Sequence, residues 1–330
     1  MNRTSILFLL LIFISICLFI ADLVTGSVPI GVDEVIKVFF GKSDSAINSE
    51  ILFNFRLPKA LTAIIAGASL SVAGLMMQTL FRNPLADPYI LGVSSGASLG
   101  VAVVMMLSTL VPLLDISSGW TSITAAVIGA STVLLFVVSI SFKVRHAVSL
   151  LIVGIMFGTI SSSLVSIIQN FSNPETVKLF LIWTFGSLSS VTWAYLKLLF
   201  PIVFASMGLA FFLHKRMDVM QLGENYARGL GISIIQTRFL VVLATGLLAG
   251  SVTAFAGPIA FVGVAIPHIA RGVFRSSYHR VLIPACVLCG AALLLLCDIV
   301  SQLPTYILPI NVISALFGAP IIIWIVLKRN

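Results

Sequence analysis

The sequence predicts an all-α, polytopic membrane protein with about ten transmembrane helices and both termini in the cytoplasm. Of its 330 residues, 59% are hydrophobic and 9% are charged, and the mean hydropathy is +1.16. A soluble domain needs many more charged residues to cover its surface. The charges here fall in short clusters between apolar runs of about twenty residues, the length of helix that crosses ~30 Å of hydrocarbon. Composition therefore excludes a soluble enzyme and favours one transmembrane domain over residues 1–330.

Eight apolar stretches each predict one spanning helix. They cover residues 5–20, 60–80, 90–114, 120–142, 148–168, 193–213, 281–300 and 306–327. The first stretch has an alternative interpretation as a cleaved signal peptide, because Arg3 precedes it and residues 21–27 end in small side chains. Its uncharged core continues to Asp22, which is longer than the apolar region of most signal peptides. We therefore expect a retained first helix.

The stretch between Arg238 and Arg271 contains 32 uncharged residues, too many for one crossing and few for two. Gly257 and Pro258 interrupt it, and this pair breaks a helix because proline lacks an amide donor. We predict two helices, of which the second, about 259–270, is too short to span and lines protein or water. The total becomes ten segments, with both termini on one side.

Charge placement tests this topology, because cytoplasmic loops are enriched in lysine and arginine. One side receives thirteen basic and three acidic residues, a net +10, and the other receives six basic and eight acidic residues, a net −2, which together give the total of +8. The basic side comprises Arg3, Arg82, Lys143, Arg145, Lys215, Arg216, Arg228, Arg238, Arg271, Arg275, Arg280, Lys328 and Arg329, with Asp87, Asp218 and Glu224. The other side comprises Lys37, Lys42, Arg56, Lys59, Lys178 and Lys197, with Asp22, Asp33, Glu34, Asp44, Glu50, Asp115, Glu175 and Asp298. The basic side, with both termini, is predicted to be cytoplasmic.

Small residues recur at four-residue spacing on three predicted helices. The stripes are Ala63, Gly67 and Ser71; Gly92, Gly96 and Gly100; and Gly154, Gly158 and Ser162. In lipid, such stripes let helix backbones approach closely. We expect most of these residues to mediate helix packing and a minority to line a pathway.

The sequence predicts no metal, cofactor, nucleic-acid or nucleotide site. The four histidines, at positions 146, 214, 268 and 279, lack ligand-like spacing, and Cys286 and Cys289 lie in an apolar helix where thiols act as small hydrophobes. Gly41-Lys42-Ser43 resembles the end of a phosphate-binding loop, but Ile36 stands where that motif needs glycine. Asp298 is the only acidic residue that we expect near a span, and proton-driven carriers usually need more.

Four segments place glycine, proline or polar residues where a plain helix bundle does not need them. They are Arg56-Leu57-Pro58-Lys59, residues 82–97 beginning Arg82-Asn83-Pro84-Leu85-Ala86-Asp87-Pro88, residues 223–231, and residues 261–271 ending Pro267-His268-Ile269-Ala270-Arg271. In this order, and across nearly the whole chain, they resemble the permeases of type II ABC importers for cobalamin, ferric siderophores and haem, the FecCD-type permeases. The resemblance implies a single permease domain over residues 1–330 that has no ATPase site of its own.

The same resemblance implies the partners. They are two copies of an ABC ATPase subunit, a second permease subunit that forms a homodimer, an extracytoplasmic substrate-binding protein and the membrane lipid. It also assigns the long loop from His214 to Arg238 to coupling with the ATPase, through Gly223, Glu224, Ala227, Arg228, Leu230 and Gly231. From the residues alone, the glycines permit turns and Glu224 can pair with Arg228 one turn later. The alternative is a solvated loop that carries a helix-surface ion pair.

The resemblance assigns Arg56 and Lys59 to docking of the binding protein at the outer face. The alternative is that both side chains only extend to the membrane interface beside a span. The family carries a further basic residue where this chain has Gln302, so the chain lacks one of the docking cations that the resemblance implies. Ile307 and Asn311 also depart from the family pattern, at the outer rim of the pathway.

A cytoplasmic gate is implied at Asn83 and Leu85, with Ala147 and Val148 in the companion loop. Pro84 and Pro88 force a non-helical link, so its polar groups must face protein or water. A simple connecting loop is the alternative. For the whole chain, the rival functions are an ion-coupled secondary transporter and an intramembrane enzyme, and these motifs do not separate siderophore, haem and cobalamin.

Overall fold

The computed structural model describes residues 3–43, 45–107, 119–144, 146–303 and 307–328. This part of the chain is 82% helix and has no strand. Four residues of the predicted charge distribution, Asp44, Asp115, Arg145 and Arg329, lie outside the described residues, as do residues 108–114 of the third predicted span and residue 306 of the last one. The prediction of an all-helical protein is confirmed.

Fifteen α-helices are present in the described ranges. They are α1 (Arg3–Val24), α2 (Val32–Phe39), α3 (Ala46–Ile51), α4 (Leu57–Phe81), α5 (Val93–Leu107), α6 (Gly119–Ser141), α7 (Ala147–Asn170), α8 (Pro174–Thr184), α9 (Trp193–Phe212), α10 (His214–Gln221), α11 (Glu224–Gly229), α12 (Ile234–Ala256), α13 (Val262–Phe274), α14 (His279–Gln302) and α15 (Ile310–Lys328). A π-helical turn, Leu52–Arg56, leads into α4, and a 3₁₀ turn, Pro88–Leu91, leads into α5.

Seven helical segments among the described residues are long and apolar enough to cross a membrane. They are α1, the continuous segment Ala46–Phe81, α6, α7, α9, α12 and α14. Three further apolar helices, α5, α13 and α15, are shorter. Together these ten coincide with the ten predicted segments, so the polytopic architecture is confirmed, while the number that cross the bilayer stays a prediction.

Contacts between helix ends sort the bundle into two ends. At one end, the Thr79 hydroxyl of α4 lies 2.8 Å from Nε2 of His279 in α14, and the rings of Phe8 and Phe274 lie 4.6 Å apart. We call this the basic end, because Arg82 follows α4, Arg238 lies near the start of α12 and Arg280 lies in the first turn of α14. At the opposite end, the Trp193 indole donates to the carbonyl of Phe53 over 2.7 Å. Thus α4 ends and α14 begins at the basic end, while α4 and α9 both begin near the opposite end.

The middle of the bundle is formed by α4 and α12. In their most apolar stretches, 83% and 78% of residues are buried, against 11% in α1 at the periphery. Small residues allow this packing, since a methyl group at Gly67 would overlap the Gly290 carbonyl of α14, and one at Gly74 would overlap the Gly263 carbonyl of α13. The predicted stripe on α4 thus mediates close helix approach.

The link between α12 and α13 breaks the helix where the sequence predicts it. Gly257 takes a φ of 77°, a conformation that glycine adopts without steric cost, and α13 has only 13 residues. The freed backbone amides are satisfied inside the protein: Ile259 donates to the Tyr89 hydroxyl over 3.2 Å, and Ala260 donates to Oδ1 of Asn311 over 3.0 Å. The link therefore packs against protein, and Asn311, a departure from the family pattern, stabilises it.

Candidate functional sites

A buried ionic cluster lies at the opposite end, where α1, α4 and α14 meet. Nζ of Lys59 lies 2.6 Å from Oδ2 of Asp298 and 3.4 Å from Oδ1 of Asp22. No side chain of the three is more than 6% exposed. Buried charges persist only when they are paired, so the lysine holds the ends of three helices together. The expectation that Asp298 is the only acidic residue near a span is wrong, because Asp22 is buried at the end of α1.

Gln302 joins this cluster. Its amide nitrogen donates to Oδ2 of Asp298 over 2.9 Å and to Oδ1 of Asp22 over 3.4 Å. The residue that stands where the family has a cation is therefore used inside the chain, as a neutral donor to two carboxylates. One feature of the sequence marks these residues, because each of them lies near one end of an uncharged run: Asp22, Lys59 and Asp298. Which of these charges meet is decided only by the packing of the helices.

Arg56, the other predicted docking residue, caps the end of α1. Its guanidinium donates to the carbonyls of Leu23 and Val24, each over 2.8 Å, and to the carbonyl of Val28. These carbonyls follow or end a helix and have no partner within it, so a cation is favoured there. Arg56 is 6% exposed and Lys59 5% exposed. The structure thus places both predicted docking residues among partners in the same chain.

A cleft of about 560 Å³ lies beside the cluster. Its lining includes Gly26, Phe55, Arg56, Lys59, Gln302 and Ile307. Arg56 and Lys59 contribute the positive charge of this lining, and Ile307, the second departure from the family pattern, contributes an apolar wall. The cleft can therefore accept a partner group that carries negative charge, provided that the group competes with the partners these cations already have.

The long loop at the basic end forms two short helices, α10 and α11. Gly223 and Gly231 take φ angles of 118° and 78° on either side of α11, in agreement with the predicted turns. The predicted pairing of Glu224 with Arg228 is wrong. Oε1 of Glu224 instead lies 3.0 Å from Nη2 of Arg238 in α12, because α11 packs its first turn against that helix.

One face of α11 is open to solvent. Ala227 is fully buried against the bundle, while Arg228 is exposed on the outer side. Three large side chains around it, Leu222, Tyr226 and Leu230, are 66%, 56% and 58% exposed. An exposed apolar group with a cation in its middle is typical of a protein interaction surface.

The loop after α4 contains the predicted gate residues Asn83 and Leu85. Oδ1 of Asn83 accepts the Leu85 amide over 3.0 Å, which fixes a tight turn, and Leu85 is 44% exposed. His268 of α13 contacts the Pro84 carbonyl over 2.8 Å. Ala147 and Val148 open α7, and Val148 is 63% exposed. All four predicted gate residues lie at the basic end.

Asp87 ends this loop and caps the 3₁₀ turn, where its Oδ1 accepts the Tyr89 amide over 2.8 Å. Burial raises the pKa of Asp87 to about 6, and the hydrogen bond from Tyr89 opposes only part of that shift. Asp87 therefore binds a proton at a higher pH than an exposed aspartate does.

The second and fourth sequence motifs pack against the same part of α4. Nη1 of Arg271 donates to Oε1 of Gln78 over 2.5 Å, and the Gln78 amide donates to the Val264 carbonyl over 3.2 Å. Pro88 lies against Gly263, where an added methyl group would meet its ring. Residues 261–271 thus pack on both α4 and Pro88. They hold in place the loop of the second motif, which carries Asn83 and Leu85.

A further network, missed from the sequence, fastens α10 to the bundle. Oδ1 of Asp218 accepts from the His279 amide over 2.8 Å and lies 2.7 Å from Nδ1 of that ring, whose Nε2 faces Thr79. Partial burial raises the pKa of Asp218, but the hydrogen bonds from His279 outweigh it and lower the pKa overall. The acid–histidine–hydroxyl order resembles a hydrolytic triad, yet His279 and Thr79 are 0% and 4% exposed. Because no substrate can reach Thr79, the network is structural.

Comparison with known proteins covers almost the whole chain. The model of the FecCD transport family matches residues 9–328. The vitamin B12 import system permease protein BtuC of Photorhabdus laumondii is 38% identical over 286 residues, which cover 84% of this chain and 82% of that protein. YvrB of Bacillus subtilis, an uncharacterized ABC transporter permease protein, is 34% identical over 92% of this chain and 88% of its own.

A solved structure described as a metal-chelate type ABC transporter in an inward-facing conformation is similar in fold as well as in sequence. It superposes with a TM-score of 0.85 at 28% identity, over 98% of this chain and 99% of that one. The similarity in fold therefore extends over nearly the whole chain.

Proposed function

Because the chain belongs to the FecCD transport family, we propose that it is the membrane permease subunit of an ATP-driven ABC importer that moves a metal chelate into the cell. The family match over residues 9–328 carries this proposal. The substrate class is a ferric siderophore, haem or cobalamin, which is supported by the B12 import permeases among the relatives and by the metal-chelate transporter among the structures.

The topology proposed is ten membrane segments in the bacterial cytoplasmic membrane, with both termini inside. The basic end is then the cytoplasmic end, as expected from the excess of lysine and arginine in cytoplasmic loops. Seven segments are long enough to cross alone, and α5, α13 and α15 complete the set as shorter elements packed among them.

At the cytoplasmic end, the α10–α11 loop docks a separate ATPase subunit. Support comes from the exposed side chains of Leu222, Tyr226, Arg228 and Leu230 around one short helix. The complex contains two permease subunits, as a homodimer, and two ATPase subunits. Hydrolysis in the ATPase biases the permease between two conformations, and Asn83, Leu85, Ala147 and Val148 close the pathway at that end.

At the outer end, an extracytoplasmic binding protein delivers the chelate. The cleft beside Arg56 and Lys59 receives an acidic side chain of that protein. Because Lys59 already pairs with Asp22 and Asp298, docking exchanges one ion pair for another, which favours reversible binding over high affinity.

The buried cluster also favours one rival, an ion-coupled secondary transporter, because carriers of that class use buried acidic and basic residues as relays. Reconstitution into proteoliposomes separates the two functions. The permease, with its ATPase and binding protein, is tested for uptake of cobalamin, haem and a ferric siderophore, either with ATP inside or with a proton or sodium gradient alone. Uptake that needs ATP and the binding protein supports the importer. Uptake that is driven by a gradient without ATPase would overturn it.

A further inference from the structure

Arg238 is a buried cation that no sequence motif singled out. It lies in the first turns of α12, and its side chain is 1% exposed. Its two terminal nitrogens point to different elements. Nη2 lies 3.0 Å from Oε1 of Glu224, and Nη1 donates to the carbonyl of Val144 over 2.7 Å. One guanidinium therefore joins two segments of the cytoplasmic end that are distant in sequence.

The two segments have different proposed roles. Glu224 is the first residue of α11, the helix with the exposed docking face. Val144 follows α6 and stands three residues before Ala147, where α7 and the second pair of gate residues begin. Next to Arg238, the rings of Phe239 and Phe142 lie 5.0 Å apart, tilted by 32°, and hold the end of α6 on α12. The α6–α7 link thus rests on the same turn of α12 that α11 contacts.

The chemistry of this contact favours joint movement. A guanidinium is planar and holds its donors in a fixed fork, so Glu224 cannot change its distance from Nη2 while Val144 keeps its bond to Nη1 unless the whole group turns. A buried cation is also strongly destabilised when its carboxylate leaves. Separation of α11 from α12 is therefore less favourable than movement of α11, Arg238 and the α6–α7 link as one unit.

We propose that Arg238 is the positioning residue that transmits displacement of the ATPase-docking helix α11 to the gate segment before α7. This inference rests on the proposed importer function and adds the physical connection between its two cytoplasmic parts. Arg238 touches neither nucleotide nor chelate. Its effect is on how much transport each hydrolysis event produces.

The test uses the assembled complex of permease, ATPase and binding protein in proteoliposomes. The ratio of chelate imported to ATP hydrolysed is measured for the wild type, Arg238→Gln, Arg238→Lys and the control Arg280→Gln, which removes an exposed cation at the same end. We expect Arg238→Gln to lower this ratio at least about fivefold while the ATPase stays bound, in the range of typical couplings between sites. Arg238→Lys is expected to give a ratio between those of Arg238→Gln and the wild type, because lysine keeps the positive charge but lacks the two terminal nitrogens of arginine. Arg280→Gln is expected to leave the ratio unchanged.

An assembled Arg238→Gln complex with the wild-type ratio would overturn the proposal. Should that variant fail to assemble, Glu224→Gln serves in its place, since it keeps a hydrogen bond and removes the charge, and the same fall in the ratio is expected. Loss of the proposed function itself has a different signature, in which the wild-type chain gives no ATP-dependent uptake and no ratio is measurable.

Discussion

The two ends of the bundle differ in how they hold the cations that the resemblance assigns to partner contacts. At the end opposite the basic end, Arg56 and Lys59 are at most 6% exposed and bind carbonyls and carboxylates of their own chain. At the basic end, Arg228 is exposed, and Leu230 beside it is 58% exposed. Both sets belong to motifs for which the resemblance implies partner contacts. A partner that binds Arg56 and Lys59 must displace internal contacts, whereas a partner at α11 meets side chains that are already exposed.

The difference has a structural cause. Arg56 and Lys59 lie at the start of α4, the most buried helix of the bundle, so their side chains meet α1 and α14 before they meet solvent. The α11 helix is only six residues long and touches the bundle through its inner face alone. Burial of the parent helix, more than residue type, thus decides whether a cation is available to a partner.

The largest effect expected is that of Lys59→Met. It leaves Asp22 and Asp298 buried together without a cation, and breaking a buried pair in this way typically lowers the free energy of unfolding by about 3–5 kcal/mol. Denaturant unfolding of the purified permease in detergent measures the change. Lys197→Met, at an exposed position of α9, is the control. Equal stability of Lys59→Met and wild type would mean that the cluster is solvated and that the two ends do not differ.

The next effect concerns the exposed face of α11. Leu230→Asp is expected to weaken binding of the ATPase subunit at least about tenfold, because central apolar side chains dominate interface energies, while unfolding is unchanged. Affinity of the detergent-solubilised permease for the purified ATPase gives the measurement. The same substitution at Leu303, which is 70% exposed at the end opposite the basic end, should leave ATPase binding intact. Equal binding of both variants would remove α11 from the docking surface.

A smaller effect tests Asp87, the acidic residue at the end of the loop after α4. The pKa of Asp87 is raised to about 6 from an unfolded value near 4, so the folded state binds the proton more tightly. Its neutral form therefore favours folding at low pH, and this contribution is lost as the pH rises from about 4 to 6, by about 1–2 kcal/mol. Asp87→Asn should flatten that slope in unfolding measured across this pH range. An unchanged slope would show that Asp87 is ionised throughout.

The smallest effect expected is that of Gln302→Arg, which restores the family's cation beside the cleft. The added guanidinium can pair with Asp298, which leaves Lys59 available to the binding protein. Affinity for the binding protein is therefore expected to rise about two- to fivefold at low salt. At high salt the affinity should return to the wild-type value, because salt screens the added charge. Binding of the purified binding protein to the permease in nanodiscs at two ionic strengths measures this. A gain that persists at high salt would point to a new direct contact.

The sequence by itself determined the features that depend on local spacing. Apolar runs predicted the helical segments, Gly257 and Pro258 predicted the break before α13, Gly223 and Gly231 predicted the turns around α11, and four motifs in order identified the family. Each of these follows from the length of a run or from the conformation that one residue type adopts, so no distant part of the chain is needed to infer it.

Only the tertiary structure decided which charged groups meet. Glu224 pairs with Arg238 rather than with Arg228, and Lys59 pairs with Asp22 and Asp298, which precede it by 37 residues and follow it by 239. Helical periodicity identifies possible partners three or four residues away on the same helix. It does not tell which faces of two helices pack together or how far along their lengths they meet. A buried ion pair is set by that packing, because a charge withdrawn from water takes whichever opposite charge the neighbouring helix presents.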